Sequence, residues 1–236
     1  MPTVLITGAN RGLGLEFAKQ YAAENWSVLA TARDPEKAQE LKQIASRHRT
    51  VSTHALDIAD DESIEELVDE LDGKSLDLLI HNSGIYPQKG QKFGEIDYDG
   101  WRGALETNLF GPIRLTEALV QNIATSDRKQ IAAISSSMAS LRGVQGGSVA
   151  QAGIAYQYRT SKTALNMAMS VLSTELAPQG ISVVMIDPGW VKTDMGGPNA
   201  QLTPQQSISG IRKVLAGDPM EISGKFIGYD GVVRPW

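Results

Sequence analysis

The feature that most constrains the fold is a short apolar run followed at once by three glycines. Val4–Ile6 reads as a buried strand, and Gly8, Gly12 and Gly14 come directly after it in the spacing Gly-x-x-x-Gly-x-Gly. Where such a turn joins a strand to a helix, backbone N–H groups and the helix N-terminus can approach a pyrophosphate. The segment therefore predicts the first βα unit of a dinucleotide-binding fold, with a turn that serves only backbone geometry as the alternative.

Apolar runs alternate with helical patterns along the rest of the chain. Most of the predicted strands are apolar on both faces, as in a buried parallel sheet. They are Thr3–Thr7, Ser27–Thr31, Val51–Leu56, Leu76–Ile80, Gln130–Ser135, Ser182–Ile186 and Lys225–Tyr229. The predicted helices are Leu13–Glu24, Pro35–Arg47, Asp61–Leu71, Tyr98–Ala124, Tyr158–Ala177 and Pro204–Ala216. This alternation predicts one α/β domain over residues 1–236, with a doubly wound, Rossmann-type, mostly parallel seven-stranded sheet and helices on both faces.

Composition excludes several classes of function. The chain has 236 residues, a net charge of −5 and no cysteine. The acidic balance argues against a nucleic-acid partner, and the lack of cysteine excludes disulfides, thiolate zinc sites and cysteine nucleophiles. The scattered histidines match no metal motif, so no metal is predicted and each is given a surface or loop role: His48, His54 and His81. With no apolar run of about 20 residues and a strand that begins almost at the N-terminus, we expect a soluble cytoplasmic protein without a membrane partner.

A second motif lies far downstream in a predicted helix. Tyr158 and Lys162 are four residues apart, so their side chains project from the same helix face. A cation close to a phenol lowers its pKa and brings proton transfer nearer to neutral pH. Taken alone, the pair is equally compatible with two polar side chains on an exposed face.

The order of these motifs resembles the short-chain dehydrogenase/reductase family over nearly the whole chain. The motifs that carry the resemblance are Thr7–Gly14, Asn82–Gly84, Asn108, Ser135–Ser137, Tyr158 with Lys162, and Asp187–Gly189. Tyr158–Lys162, Pro188–Gly197 and the final Trp236 are similar to the C-factor/sniffer-type carbonyl reductase branch of that family.

The resemblance implies the catalytic roles. Tyr158 would be the general acid, and Lys162 would lower the pKa of Tyr158 and bind the nicotinamide ribose. Ser136 would polarise the substrate carbonyl, although Ser135 and Ser137 flank it and a solvated serine turn is the alternative.

Asn108 would hold a relay water in this scheme, although read without the resemblance it is a surface asparagine. It interrupts an otherwise helical pattern, and because asparagine is a poor helix former, we expect a local distortion there. The resemblance also implies the cofactor-contact positions, which are Gly8, Asn10, Arg11, Gly12, Leu13, Gly14, Arg33, Asp57, Ile58, Asn82, Gly84, Tyr158, Lys162, Pro188, Gly189, Val191 and Thr193. Among them, Asp57 could equally cap a turn.

The end of the second predicted strand points to the choice of cofactor. A ribose 2′-phosphate attracts arginine, whereas a free ribose diol suits an acidic acceptor. Ala32 stands where NAD users of the family tend to place an acid, while Arg33 and Arg11 occupy positions where NADP users place a base. The prediction is NADP, with NADPH preferred over NADH. Asp34 weakens it, and surface charge is the alternative for both arginines.

Three departures from the family pattern mark individual features of this chain. His81 and Ser83 replace the usual Asn and Ala beside Asn82, which puts local sheet contacts in doubt. The interval from the serines to Tyr158 is long and rich in glycine, so Leu141–Ala155 is predicted to close over the substrate. Tyr156 is expected to be a pocket wall or loop residue, because no lysine follows it four positions later.

The leading functional prediction is an NADPH-dependent oxidoreductase that reduces an aldehyde or ketone. The alternative is a C-factor-like signalling or regulatory protein that binds NAD(P) with little turnover; an epimerase or dehydratase of nucleotide sugars is disfavoured by the short segment after Thr193.

The expected partners are a small carbonyl substrate and a second copy of the chain. The homodimer would pair Tyr98–Ala124 and Tyr158–Ala177, with a tetramer as the alternative. Side chains predicted to line the pocket, with apolar core as the alternative, are Tyr86, Tyr156, Trp190 and Met195.

Overall fold

A single seven-stranded parallel sheet organises the computed structural model, which describes residues 1–87, 93–148 and 154–236. The strands are β1 (Thr3–Ile6), β2 (Ser27–Ala32), β3 (Val51–Ala55), β4 (Leu78–His81), β5 (Gln130–Ile134), β6 (Ser182–Asp187) and β7 (Phe226–Gly228). They pair in the order β3-β2-β1-β4-β5-β6-β7, and every pairing is parallel. The predicted doubly wound, Rossmann-type sheet is confirmed.

Helices occupy most of the connections between strands. They are α1 (Gly12–Ala23), α2 (Gln39–Arg47), α3 (Asp61–Leu71), α4 (Tyr98–Leu105), α5 (Gly111–Ala124), α6 (Tyr156–Glu175), α7 (Pro204–Ala216) and α8 (Pro219–Ile222). Shorter helical turns lie at Pro35–Lys37, Ser137–Ala139, Leu141–Gly143 and Ala177–Gln179, and π-helical turns at Glu106–Phe110 and Val144–Ser148. In the described part of the chain, no helix combines the length and the apolar character needed to span a membrane.

Two helices have the predicted bounds, because residues that commonly cap helices directly precede them in the sequence. The Asp60 carboxylate accepts a hydrogen bond from the Glu62 amide at 3.2 Å at the start of α3. The Thr203 hydroxyl accepts from the Gln206 amide at 3.2 Å, while the Gln206 side chain accepts from the Thr203 amide, which makes a capping box for α7.

Three predicted helices differ from the structure by more than one residue at an end or by a break. The prediction of one helix over Pro35–Arg47 is wrong, because Asp34 caps a separate 3₁₀ turn and Ala38 adopts a non-helical conformation before α2 begins. The predicted Tyr98–Ala124 helix contains a π-helical turn around Asn108, which confirms the expected distortion. α6 begins at Tyr156, two residues earlier than predicted.

The core has two layers, one on each face of the sheet. Alternate residues of β1 serve both layers: Val4 and Ile6 pack with α1, α2 and α7, whereas Leu5 packs with α3, α5 and α6. Strand order reverses between β1 and β4, which pair with each other. In open α/β sheets a ligand crevice forms beside such a switch point at the carboxyl ends of the strands, so this edge is where a site is expected.

We predict that Gly14→Ala destabilises the protein although alanine is the better helix former. A β-carbon at Gly14 would lie inside contact distance of the Gly8 carbonyl and the Asn82 amide, and such overpacking costs about 1–3 kcal/mol. Gly103 in α4 is the matched control, because a β-carbon there meets no atom within 4 Å.

Gly103→Ala should therefore raise the free energy of unfolding by up to about 1 kcal/mol. Chemical denaturation of both variants checks the pair of predictions. Equal stabilisation by both substitutions would show that α1 does not need the close approach at Gly14.

Candidate active site

The glycine turn is fixed by hydrogen bonds from the end of β4. Gly8 has a φ of +66°, which glycine adopts without strain. The Asn82 side-chain amide donates to the carbonyls of Thr7 at 2.8 Å and Gly8 at 3.1 Å, and the backbone amides of Asn82 and Ser83 both donate to the Thr7 hydroxyl at 2.9 Å. The two strands at the switch point thus set the shape of the turn together.

Histidine at the end of β4 is accommodated inside the protein. His81 is fully buried, and its Nε2 lies 2.8 Å from the Thr116 hydroxyl, which itself donates to the Pro112 carbonyl. Burial first, and the charge of Lys162 second, lower the pKa of His81 to about 3, so the ring is neutral at ordinary pH. His81 and His54 both lie in strands and are buried, so the predicted surface or loop role is wrong for both.

Asn108 ties three segments together from the π-helical turn. Its Oδ1 accepts a hydrogen bond from the Ile85 amide at 2.8 Å, and its Nδ2 donates to the Ile85 carbonyl and to the Ser161 hydroxyl, both at 2.9 Å. Ser161 in turn donates to the Tyr158 carbonyl at 3.0 Å. The Asn108 side chain thus connects α6 to the loop after β4. The predicted relay water would therefore have to contact the Asn108 backbone.

Lys162 is buried between α6 and the sheet. Its Nζ donates to the Ile134 carbonyl at 2.7 Å, and a β-carbon on Gly84 would lie only 3.4 Å from Nζ and 3.3 Å from Asn108 Oδ1. The lack of a side chain at Gly84 therefore brings these two predicted catalytic residues to one place. Burial lowers the pKa of Lys162 to about 8.

Tyr158 is buried on the same face of α6. Burial raises the pKa of Tyr158 to about 12, and this outweighs the opposing hydrogen bond from Ser136; Asp187 and Tyr86 raise it further. The net shift is upward because desolvation of the phenol dominates. The phenol therefore keeps its proton at neutral pH, which is the state that a proton donor requires. The lowering of this pKa by Lys162 stays a prediction.

The three adjacent serines occupy different environments. Ser136 is the one that hydrogen-bonds the Tyr158 phenol, whereas Ser135 is buried and continues the pairing of β5 with β6. Ser137 is exposed, and its backbone amide donates to the Asp187 carboxylate at 2.9 Å. Of the three hydroxyls, that of Ser136 faces the predicted acid.

The four residues predicted to line the pocket have different surroundings. The rings of Tyr86 and Tyr158 stack at 4.5 Å between centroids with an interplanar angle of 10°. Trp190 is 52% and Met195 39% exposed, so the apolar-core alternative does not apply to either. Tyr156 is not a loop residue: it lies in the first turn of α6, and its ring is 6.3 Å from that of Trp101.

Two arginines stand at the predicted adenosine end, and they differ in their partners. Arg11 pairs with Asp194 at 2.7 Å between two exposed side chains, whereas Arg33 is exposed and forms no ion pair with the described residues. The acid next to Arg33 is engaged elsewhere, since Asp34 contacts Lys37 at 2.6 Å and a hydrogen bond from Lys37 holds the pKa of Asp34 below its usual value.

The remaining predicted cofactor positions line the same edge of the sheet. The Asp57 carboxylate accepts from the Ala59 amide at 3.0 Å, so the turn-capping alternative is observed. Ile58 packs in the core, and its carbonyl lies close to Gly111. Thr193 lies over the glycine turn, 3.5 Å from where a β-carbon on Gly12 would be. Asn10 and Leu13 are on the turn and in α1, and Pro188, Gly189 and Val191 follow β6.

Part of the predicted substrate loop Leu141–Ala155 lies outside the described residues. Residues 149–153, which include Gly153, are not described, so the predicted closure of the loop stays a prediction. Ser140 directly precedes this loop and caps its first helical turn, because its hydroxyl accepts a hydrogen bond from the Gly143 amide at 2.9 Å.

Sequence reasoning gave no role to Asp187 or Arg234, which form an ion pair beside the serines. Asp187 directly precedes Pro188 at the end of a predicted strand, and this position is a sequence signal that could have identified it. No sequence signal identifies Arg234, because a contact between residues 47 positions apart produces no periodic pattern.

Comparisons with known proteins agree with this geometry. A family model described as short chain dehydrogenase matches residues 2–202. The C-signal of Myxococcus xanthus is 38% identical over 161 residues, which cover 68% of this chain and 93% of that relative. The carbonyl reductase Sniffer of D. melanogaster superposes with a TM-score of 0.91 at 32% identity over 100% of both chains. An NADPH-bound carbonyl reductase from chicken fatty liver also gives 0.91, at 33% identity over 100% of this chain and 99% of the other.

We predict that Lys162→Met stabilises the protein at neutral pH. The pKa of Lys162 is about 8 in the folded protein against 10.5 for a free lysine, so between these values the unfolded chain binds more protons than the folded one. The parent's stability should therefore rise from about pH 8 to about pH 10.5, and the advantage of the variant should shrink over that window.

Chemical denaturation across this pH range measures the difference. Lys42→Met on the surface of α2 is the control, and it should show no such narrowing. An advantage for Lys162→Met that is independent of pH would mean that burial of the ammonium does not limit stability.

Proposed function

The chain belongs to the short-chain dehydrogenase family, and on that premise we propose that it is an NADPH-dependent oxidoreductase that reduces the carbonyl of an aldehyde or ketone. The observation that carries the proposal is the cluster of Ser136, Tyr158 and Lys162 at the carboxyl edge of the sheet, beside the glycine turn. A glycine turn alone would suit any nucleotide, and a buried tyrosine alone would suit many folds. Their combination suits transfer of a hydride and a proton to one carbonyl group.

The residues present fit a nicotinamide dinucleotide. The turn from Gly8 to Gly14 would hold the pyrophosphate at the start of α1, and Lys162 with Tyr158 would hold the nicotinamide ribose. When bound, NADPH supplies the hydride that is added to the carbonyl carbon. The NADP-bound solved relatives, one of them from Burkholderia multivorans, support this class of cofactor.

Two side chains would contact the carbonyl oxygen of the substrate. Ser136 donates a hydrogen bond that polarises the carbonyl, and Tyr158 transfers its phenolic proton to that oxygen as the hydride reaches carbon. The products are then an alcohol and NADP⁺, with the tyrosinate reprotonated from solvent. With a pKa of about 12, Tyr158 keeps its proton at neutral pH, and a protonated phenol is the form that reduction requires.

The preference for NADPH is supported by the charges beyond β2. Arg33 is exposed and forms no ion pair with the described residues, and its acidic neighbour Asp34 forms an exposed ion pair with Lys37. The Arg33 guanidinium is therefore available to a 2′-phosphate, whereas the Asp34 carboxylate that a ribose diol would need already contacts Lys37.

A signalling or regulatory protein with little turnover is the second candidate, and the likeness to the Myxococcus xanthus C-signal favours it. Oxidation of NADPH with a panel of aldehydes, diketones, quinones and ketosteroids separates the two. Turnover with any of them supports the reductase, and tight NADPH binding without turnover supports the alternative.

We also propose a homodimer that pairs α4 and α5 with α6. Phe110, in the π-helical turn between α4 and α5, is 48% exposed, and Met167 and Val171 on α6 are 67% and 56% exposed. Sedimentation of the protein tests the proposal, which a monomer over the whole concentration range would contradict.

We predict that Tyr158→Phe lowers turnover by about 10² or more while NADPH affinity changes little, because the proton donor is lost whereas the contacts of the glycine turn and of Lys162 with the cofactor remain. Tyr156→Phe is the matched control, since it removes the same atom two residues away on a ring that packs near Trp101. Steady-state rates and fluorescence titration with NADPH measure both. A larger loss in Tyr156→Phe would overturn the assignment of the acid.

We predict that Arg33→Ala raises KM for NADPH by about tenfold or more with little change for NADH, because a charge-assisted phosphate contact is lost. Arg11→Ala should have a smaller effect, since Asp194 already engages that guanidinium. The ratio of kcat/KM for the two cofactors is the measurement. An unchanged ratio in Arg33→Ala would transfer the phosphate contact to Arg11 or remove the NADP assignment.

A further inference from the structure

The chain segment after β7 returns to the carboxyl end of β6 and places an arginine there. Arg234 Nε donates to Asp187 Oδ2 at 3.1 Å, and its Nη2 donates to Asp230 at 3.0 Å. The Asp187 side chain is only 5% exposed and that of Arg234 21%. A carboxylate so far from water needs a partner, and Arg234 is the cation that the described residues provide.

The other oxygen of Asp187 holds the backbone on both sides of the site. Oδ1 accepts hydrogen bonds from the amide of Ser137 at 2.9 Å and from that of Gly189 at 3.3 Å. Ser137 follows the serine that faces Tyr158, and Gly189 begins the loop that runs to Thr193 over the glycine turn. One carboxylate therefore joins the turn over residues 136–140, here called the serine turn, to the loop over residues 189–193 on the cofactor side.

The serine turn is held on two sides, and only one of them belongs to α6. Thr163 donates to the Ala139 carbonyl at 2.8 Å and Arg159 to the Met138 carbonyl at 3.2 Å, so α6 contacts the carbonyl side. The amide side at Ser137 depends on Asp187. Ser136 lies directly before that amide, and its hydroxyl accepts a hydrogen bond from the Met138 amide at 3.1 Å. A displacement of the backbone at Ser137 would therefore carry the Ser136 hydroxyl with it.

A glycine in β7 makes room for the arginine. A β-carbon at Gly228 would overlap the guanidinium of Arg234 and lie 2.5 Å from the Asp230 carboxylate. Gly228 has no positive φ that would by itself require glycine. The close approach of Arg234 to β7 thus explains why this position has no side chain.

The same segment also reaches the far end of the serine turn. The Trp236 carbonyl accepts from the Arg142 amide at 3.0 Å and from the Ser140 hydroxyl at 3.2 Å, and the Trp236 ring stacks on Phe226 at 5.8 Å. Residues 230–236 therefore contact the turn through Asp187 at one end and through Ser140 at the other.

We propose that Arg234 is a positioning residue that acts through Asp187: it fixes the carboxylate that orients the Ser136 turn toward Tyr158 and the carbonyl of the substrate. The catalytic part of this statement rests on the proposed reductase function. The guanidinium is suited to the task because its planar fork fixes direction as well as charge.

The test compares Arg234→Ala, Arg234→Lys and Arg212→Ala in the full chain. Arg212 is the matched control: its side chain is 15% exposed, pairs with Glu24 and lies over the Tyr21 ring, on the opposite face of the sheet from α6. Arg234→Ala should lower kcat for carbonyl reduction by about tenfold or more, with the NADPH dissociation constant changed by less than about threefold. Arg212→Ala should lower the melting temperature without lowering kcat.

Rescue by the conservative variant separates positioning from bulk stability. Arg234→Lys keeps the charge without the fork, so kcat should recover only in part. Gly228→Ala is the second route to the same result, because it displaces Arg234 without removing it; it should reproduce the loss of kcat even if Arg234→Ala does not fold. Unchanged kcat in folded Arg234→Ala or Gly228→Ala, or an equal loss of kcat in Arg212→Ala, would overturn the proposal.

Hydrogen exchange of the peptide that contains Ser136–Ser140 provides a readout independent of activity. Exchange should be faster in Arg234→Ala than in the parent and unchanged in Arg212→Ala. If the parent reduces no carbonyl compound, the proposed function fails, and this measurement still decides the positioning. Unchanged protection of the peptide in Arg234→Ala contradicts the inference.

Discussion

Burial of the Lys162 ammonium is the constraint on which the rest of the site depends. Among the described residues no carboxylate pairs with it, and its hydrogen-bond acceptor is the Ile134 carbonyl. The surrounding structure meets this constraint in three ways: Gly84 leaves room, Asn108 fixes the neighbouring loop from a π-helical turn, and His81 stays neutral. A buried cation without an acid is costly, and such a cost is typical where a group is kept for chemistry.

The same dry environment gives Tyr158 its state. Water would stabilise the phenolate, so its exclusion keeps the proton on the oxygen. The Tyr86 ring covers one face of the phenol, and Ser136 contacts its oxygen. Both neighbours come from loops that follow strands at the carboxyl edge, and the regular hydrogen bonding of the parallel sheet fixes where those loops begin. The two apolar layers of the core thus help to position the acid through the sheet that they stabilise.

How far the sequence predicts the molecule depends on the range of the interaction. α3 and α7 begin directly after the capping residues Asp60 and Thr203. Such caps are visible in the sequence because their hydrogen bonds join residues no more than three positions apart. The helix predicted from Pro35 breaks because Asp34 captures the Lys37 amide, a local competition that apolar periodicity does not register. Spacing places Tyr158 and Lys162 on one face of α6. Spacing carries no information on burial, so the sequence does not predict the rise in the pKa of Tyr158 that burial causes. Arg234 could not be found, since its contact with Asp187 depends on the complete sheet.

The structure of the protein with NADP⁺ bound tests the central claim most directly, because it places the nicotinamide ring relative to Tyr158. The account predicts that the pyrophosphate lies on the turn from Gly8 to Gly14 and that the nicotinamide ribose is within hydrogen-bond distance of both Tyr158 and Lys162. It also predicts that the 2′-phosphate lies at Arg33. A cofactor whose pyrophosphate occupies the turn but whose nicotinamide ribose lies away from Tyr158 and Lys162 would contradict it.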